Sequence, residues 1–368
     1  MRDKIGQLMI IGLRDKTLSQ DESEFIVRNN IGGVILFPRN IESPEQLHKL
    51  CSSIQQLRHK TRDKLPLFIS IDMEGGRVAR LKEPFTKWPP LNRLGQIDST
   101  SVSFKMALAM GEELSAVGIN LDFAPCVDVL TNPANKVIGD RSISSDPEMV
   151  AKHSSALVRG YIKSGVMACA KHFPGHGNTL IDSHEDLPVE DSDMEHLKNI
   201  ELVPFKKVFR ARIDMVMMAH IRFPKIDPQW PATLSEIMIK DLLRKELRYR
   251  NLVITDDLDM GALAKNYDRA EIPVRAIEAG NDVLLYCNEF DRPEIALNSI
   301  ESALKTGRLT AKQIDEAYNR VAAVKKEAIL KPDPLPWTQA VKQVGSEEHH
   351  RLAEGISSGQ IPDDLLAG

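Results

Sequence analysis

The chain has 368 residues, 42% of them hydrophobic and 27% charged, enough to bury a large core in one big α/β barrel or two ordinary domains. Its formal charge of −4, with a pI near 6.2, lacks the basic excess that neutralising a phosphate backbone requires, so no nucleic-acid partner is expected. The apolar run in MRDKIGQLMIIGLRDK is too short to span a bilayer and has no small-residue cleavage site, so a cytoplasmic protein without membrane attachment is expected.

In chain order, apolar runs rich in Ile, Val and Met occupy residues 5–13, 31–37, 67–72, 119–129, 166–173, 215–221, 252–258 and 282–287. Each reads as a buried strand of a parallel sheet. Segments of helical period lie between them, among them SPEQLHKLCSSIQQLRHK, where Ser43 and Pro44 signal a start, PEMVAKHSSALVRGYIKSG and LSEIMIKDLLRKELRY. Eight strand and helix pairs predict a single-domain (β/α)8 TIM-type barrel over residues 1–330. A doubly wound sheet is the runner-up, but no GxGxxG follows any of these strands. After a last helix near 310–329, KPDPLPW marks an exit, and residues 331–368 read as a polar tail with a short helix. The four cysteines, Cys51, Cys126, Cys169 and Cys287, lie far apart without a metal-type pair, so reduced thiols and no disulfide are expected.

A barrel of this kind carries its chemistry at the C-terminal ends of its strands. The third run ends at Asp72 and continues as MEGGRVAR; the fourth leads into VIGDRS with Arg141. The fifth ends at Lys171 and His172, the sixth at His220, and the seventh at Asp256 and Asp257. These residues should converge on one mouth. An isolated acid or histidine at a strand end often caps a helix or satisfies a loop instead, but so many together weaken that reading.

The stretch KHFPGHGNTLIDSHEDLPVE, residues 171–190, holds His172, His176 and His184. A metal-binding HxxxH needs a helix to bring both rings to one face, and Pro174, Gly175 and Gly177 break a helix here, so no metal is expected. Lys171 could form a Schiff base, as in barrel aldolases, or, with His172, donate hydrogen bonds to substrate hydroxyls; the second use fits the neighbouring groups better.

Taken together, KHFPGHG followed by DSH, IDMEGGRVAR, VIGDRS and VITDDLDMGAL resemble the β-N-acetylhexosaminidases of glycoside hydrolase family 3, in particular the single-domain bacterial type of peptidoglycan recycling. The resemblance covers roughly residues 1–330 and leaves the tail outside. It implies a retaining mechanism with Asp256 as nucleophile and the pair Asp182 and His184 as acid/base on a mobile loop. An extended loop would project Asp182 and His184 the same way, so that the carboxylate orients the imidazole. The resemblance further implies that Asp72 accepts hydrogen bonds from sugar hydroxyls, that Arg80, Arg141, Lys171 and His172 donate to them, and that Gly75 and Gly76 let the backbone turn closely beside them.

Asp257 should point away from Asp256 and bind loop amides, Arg77 is open to a structural role, His176 to either loop support or sugar contact, and His220 reads as a wall residue or one just behind the wall rather than an acid. The implied substrate is a terminal β-linked N-acetylglucosamine on fragments such as GlcNAc-1,6-anhydro-MurNAc-peptides, met in the cytoplasm by a monomer that needs no cofactor. Relatives acting on plain glucosides generally carry a further domain, for which this chain has no room. Rival readings are a Lys171-dependent aldolase, a related glycoside phosphorylase, and a catalytically silent sugar-binding barrel.

Overall fold

Apolar runs without polar alternation are stable as strands only where both faces are covered. The computed structural model describes residues 1–180, 182–183, 186–288 and 291–366. Its strands are β1 (Met9–Gly12), β2 (Gly33–Leu36), β3 (Phe68–Ile71), β4 (Met73–Gly75), β5 (Val78–Ala79), β6 (Leu121–Asp122), β7 (Met167–Phe173), β8 (Met215–Met218), β9 (Leu252–Asp257) and β10 (Val283–Tyr286). All but β4 and β5 close into a barrel in the order β1-β2-β3-β6-β7-β8-β9-β10, with parallel pairing throughout. The (β/α)8 expectation is met, and all eight apolar runs contribute a barrel strand.

Two runs differ from expectation in detail. The first splits into a helix, Arg2–Gln7, and the short strand β1. A side chain at Gly6 would meet the Asn29 carbonyl oxygen at 1.7 Å, so this helix lies against the next one, with Arg2 Nε donating to Asn29 Oδ1. The fourth run pairs as a strand only at Leu121 and Asp122. Pro125 has no N–H for the ladder, so the chain beyond is held by single bonds, such as Val127 N to the Lys171 carbonyl at 2.8 Å.

The surrounding helices start and stop where their end residues require. The Ser43 hydroxyl accepts from the Gln46 amide ahead of Pro44 in the helix Pro44–Gln56. Asp146 caps Pro147–Ser164, which ends at Gly165 in the left-handed conformation. The expected last helix is Ala311–Ala328, opened by a capping box of Thr310 and Gln313.

The tail is more than a polar appendage. It contains the helices Trp337–Ala340, Glu347–Ser358 and Asp363–Leu366, and Leu352, Ala353, Ile356 and Leu365 join the main apolar core. One of its polar anchors is Glu113, on the helix Thr100–Ala116, whose carboxylate accepts from Thr86 Oγ1 (2.7 Å) and the Gly345 amide (2.8 Å). No helix of the described residues is long and apolar enough to cross a membrane.

Candidate active site

A cleft of about 740 Å³ opens at the C-terminal ends of the strands and is lined by Asp72, Glu74, Arg80, Arg141, Lys171, His172, His176, Asp182, Asp256 and Asp257. Of the residues expected at the mouth, those that the structure describes all line it except His220, which is fully buried and lies outside the lining. His184 lies outside the described residues. A second cleft of about 630 Å³, bordered by the helices Gln20–Asn29 and Pro44–Gln56, carries exposed lysines and small hydroxyls but no buried ionisable group.

On one wall, β3 delivers Asp72 and the β4–β5 hairpin delivers Glu74 and Arg80. The hairpin turns at Gly75 and Gly76, with φ of 97° and 57°, and a side chain at Gly75 would meet the Pro89 carbonyl oxygen at 2.4 Å. Lys171 Nζ reaches Asp72 Oδ1 at 2.8 Å and Glu74 Oε1 at 2.7 Å. Arg141 grips Glu74 with both Nε (2.9 Å) and Nη2 (2.8 Å), and Arg80 Nη2 donates to Asp72 at 3.3 Å. Burial pushes the Glu74 carboxyl up, but Arg141 and Lys171 outweigh it and hold it well below the usual carboxylate range. Burial likewise opposes the charge on Lys171, and Asp72 and Glu74 reverse the effect, keeping it protonated. A Lys171 held as an ammonium is a donor to hydroxyls and a poor imine-forming nucleophile, which counts against the aldolase reading.

Strand β7 presents both Lys171 and His172 because its register shifts between Ala170 and Phe173. Beneath His172 lies Asp128, a residue not singled out from the sequence. Its carboxylate accepts from His172 Nδ1 (2.7 Å), the His172 amide (3.2 Å), the His176 amide (2.7 Å) and the Cys126 thiol (3.3 Å). Burial opposes ionisation, but His172 and His176 lower its pKa to about 2. Among the described residues, Cys126, Asp128 and His172 form the one group with metal-ligand chemistry, their ligand atoms within 4.8 Å of one another. Here the donors of the other two already point at the carboxylate, where a cation would otherwise sit.

Across the cleft, β9 ends in Asp256 and Asp257. The Asp257 amide donates to Asp256 Oδ1 at 2.8 Å. Burial would raise the Asp256 pKa, but neighbouring His220 and the hydrogen bond from the Asp257 amide help hold it below the ordinary carboxylate value, so it is ionised at neutral pH. Asp257 turns to the loop amides, as its alternation along the strand predicts: its Oδ1 accepts from Asp259 N (3.0 Å) and Cys287 N (3.2 Å). His220, expected in the wall or just behind it, is fully buried: it donates from Nε2 to the Asp257 carbonyl at 2.9 Å and pairs through Nδ1 with Thr233 Oγ1 at 2.7 Å.

The loop after β7 starts with His176, whose ring is buried to 2% exposure and contacts Thr179 Oγ1 (2.6 Å) and Ser183 Oγ (3.4 Å). Burial lowers its pKa to about 4, so the ring is neutral and supports the loop. Asp182 lines the cleft, its carbonyl accepts from the Asp186 amide (3.1 Å), and the Ser183 carbonyl accepts from the Ala262 amide just beyond β9. Arg77 also lines the cleft, and its guanidinium donates to the carbonyls of Lys136 and Ile138 and pairs with Asp140. Glu74 and Asp128 are the residues that sequence reasoning missed. Glu74 sits inside the quoted IDMEGGRVAR, which was the available signal; Asp128, within an apolar run, gave none.

The family model that matches residues 1–324 is the glycosyl hydrolase family 3 N terminal domain. A beta-hexosaminidase of Hydrogenovibrio crunogenus is 38% identical over 300 residues, covering 78% of this chain and 82% of that one. Beta-hexosaminidase A of Pseudoalteromonas piscicida is 34% identical over 94% of this chain, which spans only 61% of that relative's length. Among solved structures, a family 3 beta-N-acetylglucosaminidase from Paenibacillus sp. str. FPU-7 superposes with a TM-score of 0.91 at 37% identity, covering 98% of this chain and 68% of that one. NagZ from Neisseria gonorrhoeae, solved with N-trifluoroacetyl-D-glucosamine, gives 0.76 at 32% identity over 96% of this chain and 98% of its own. A parallel barrel with an ionised aspartate at the end of β9, matched over most of its length by these relatives, places the chain in glycosyl hydrolase family 3, and it is a glycoside hydrolase of the family's β-hexosaminidase branch.

Proposed function

We propose that the protein is a retaining exo-β-N-acetylglucosaminidase that removes terminal non-reducing β-linked N-acetylglucosamine from peptidoglycan fragments such as GlcNAc-1,6-anhydro-MurNAc-peptides, in the cytoplasm. The observation that carries this reading is Asp256: a half-buried carboxylate at a rigid strand end, kept ionised by its neighbours and facing a cleft of hydrogen-bonding groups. In the first step the Asp256 oxygen bonds to the anomeric carbon as the glycosidic C–O bond breaks, and the leaving oxygen takes a proton from His184, oriented by Asp182. In the second step His184 takes a proton from water, whose oxygen displaces Asp256 and restores the starting configuration. Asp72, Arg80, Arg141, Lys171 and His172 bind the sugar, and their mixture of acceptors and donors suits its hydroxyls. The similar Paenibacillus beta-N-acetylglucosaminidase, and NagZ with its N-trifluoroacetyl-D-glucosamine, support the N-acetyl preference.

The test is release of nitrophenol from 4-nitrophenyl β-N-acetylglucosaminide by the wild type and Asp256→Ala, with the β-glucoside as control. Proton NMR of the first-formed anomer is recorded alongside. Cleavage of the N-acetyl substrate alone, β-anomer first, and a loss of about 10⁴-fold or more in the variant is expected. An α-anomer formed first would refute retention.

A further inference from the structure

The surroundings of His172 fix which of its ring nitrogens carries the proton. The Asp128 carboxylate, 1% exposed, can only accept, and it stands 2.7 Å from Nδ1; that nitrogen must therefore donate. On the other side, Arg141 Nη2 stands 3.4 Å from Nε2. A guanidinium has no acceptor and is positively charged, so it opposes a proton on Nε2; at 3.4 Å, with Nη2 already donating to Glu74 at 2.8 Å, the contact leaves the Nε2 lone pair open to a closer donor. A doubly protonated ring would set one N–H against another at that contact. Two independent neighbours thus favour the same tautomer, and both His172 and Arg141, the neighbour of the acceptor nitrogen, line the cleft.

We propose that Asp128 is a positioning residue of the sugar subsite, holding His172 as the Nδ1–H tautomer so that Nε2 accepts a hydrogen bond from a sugar hydroxyl. This rests on the reading of the cleft as a sugar site and reverses the polarity expected for His172, from donor to acceptor. The same carboxylate also takes the His176 amide at 2.7 Å, so it ties the tautomer of the binding residue to the start of the loop that carries Asp182. A fixed acceptor selects for a group with a hydrogen to give: a hydroxyl satisfies it, whereas a fluorine or an ether oxygen leaves a buried lone pair facing another. A neutral amide in place of Asp128 can turn its NH₂ toward Nδ1 and move the proton to Nε2.

The experiment measures competitive inhibition by N-acetylglucosamine and its 3-, 4- and 6-deoxyfluoro analogues, for the wild type and Asp128→Asn, with 4-nitrophenyl β-N-acetylglucosaminide as reporter. Asp72 also accepts, so more than one analogue is expected to bind the wild type about tenfold more weakly than the parent sugar. In Asp128→Asn one of these losses, at the hydroxyl that His172 touches, is expected to shrink below about twofold, while the others persist. Full retention of every loss would overturn the proposal. Should the variant not fold, a long-range ¹H–¹⁵N spectrum of the wild type, with His172 identified by its absence in His172→Gln, decides the point: a proton on Nδ1 is expected, and one on Nε2 refutes it. A wild type that neither cleaves the reporter nor binds N-acetylglucosamine would instead fault the sugar reading, and the tautomer measurement would stand apart from it.

Discussion

Replacing Glu74 by alanine removes a carboxylate that is 1% exposed and accepts three charge-assisted hydrogen bonds, two from Arg141 and one from Lys171. Lys171 keeps Asp72 at 2.8 Å, but Arg141 is left with the Val137 carbonyl and the His172 ring as its remaining described partners. Breaking a buried ion pair from one side costs about 3–5 kcal/mol. With Lys171 still paired, the lower end, about 3 kcal/mol, is expected for Glu74→Ala. Glu74→Gln, which retains an acceptor of the same shape, should lose about 2 kcal/mol.

The released cations no longer hold the sugar-binding wall in place, and kcat/KM should fall about 10²-fold in the alanine variant. Guanidinium chloride unfolding followed by tryptophan fluorescence, together with nitrophenol release, measures both. Because the folded pKa of Glu74 lies below its unfolded value of 4.5, its stabilisation is complete above pH 4.5 and is lost as pH falls toward the folded value. The gap between wild type and variant should therefore narrow below that pH. A loss under about 1 kcal/mol with unchanged kcat/KM would refute the account of Glu74 as the anchor of this wall.

Burial, then Asp259 and Asp256, raise the Asp257 pKa from 3.8 to about 7, so its contribution to stability is full below pH 3.8 and is lost as pH rises through about 7. Asp257→Asn keeps an acceptor for the two loop amides, and its melting temperature should gain on wild type between pH 5 and pH 8; a constant difference would contradict the assignment. Burial opposes the charge on His349, but Glu112 and Glu113 outweigh it and raise the pKa to about 9, so its stabilisation is complete below pH 6.5 and disappears as pH rises through about 9. Hydrogen exchange in residues 345–358 should speed up over that window, and His349→Gln should flatten the response. A side chain at Gly177 would meet the Val129 carbonyl oxygen at 1.7 Å, so Gly177→Ala should displace the loop after β7 and abolish most turnover, which thermal unfolding and nitrophenol release would register together.

The differences between expectation and structure have local causes. The first apolar run was legible as buried but not as helix followed by strand, because a short apolar run has the same composition in either state and packing against Asn29 decides between them. The fourth run was read as one long strand because its residues are apolar, yet Pro125 limits pairing after Asp122. In the tail, Leu352, Ile356 and Leu365 are spaced among charges too sparsely to advertise a core position, and only the docked helix shows that they fill one.

By itself the sequence determined the barrel and the addresses of its chemistry: unbroken apolar runs require burial on both faces, and the polar residues that end them must gather where parallel strands end together. Asp72, Lys171, His172 and Asp256 were legible for that reason, as was the place of Asp182 in the loop after β7. Only the tertiary structure decided how these groups hold one another. Glu74 meets Arg141 across 67 residues and Asp128 meets His172 across 44. Such pairings follow from the angular positions of strand ends around a closed barrel, to which local periodicity carries no reference. The charge of Glu74 and the tautomer of His172 are properties of those meetings, and they arise when closure brings opposite charges, donors and acceptors within bonding distance in a water-poor interior.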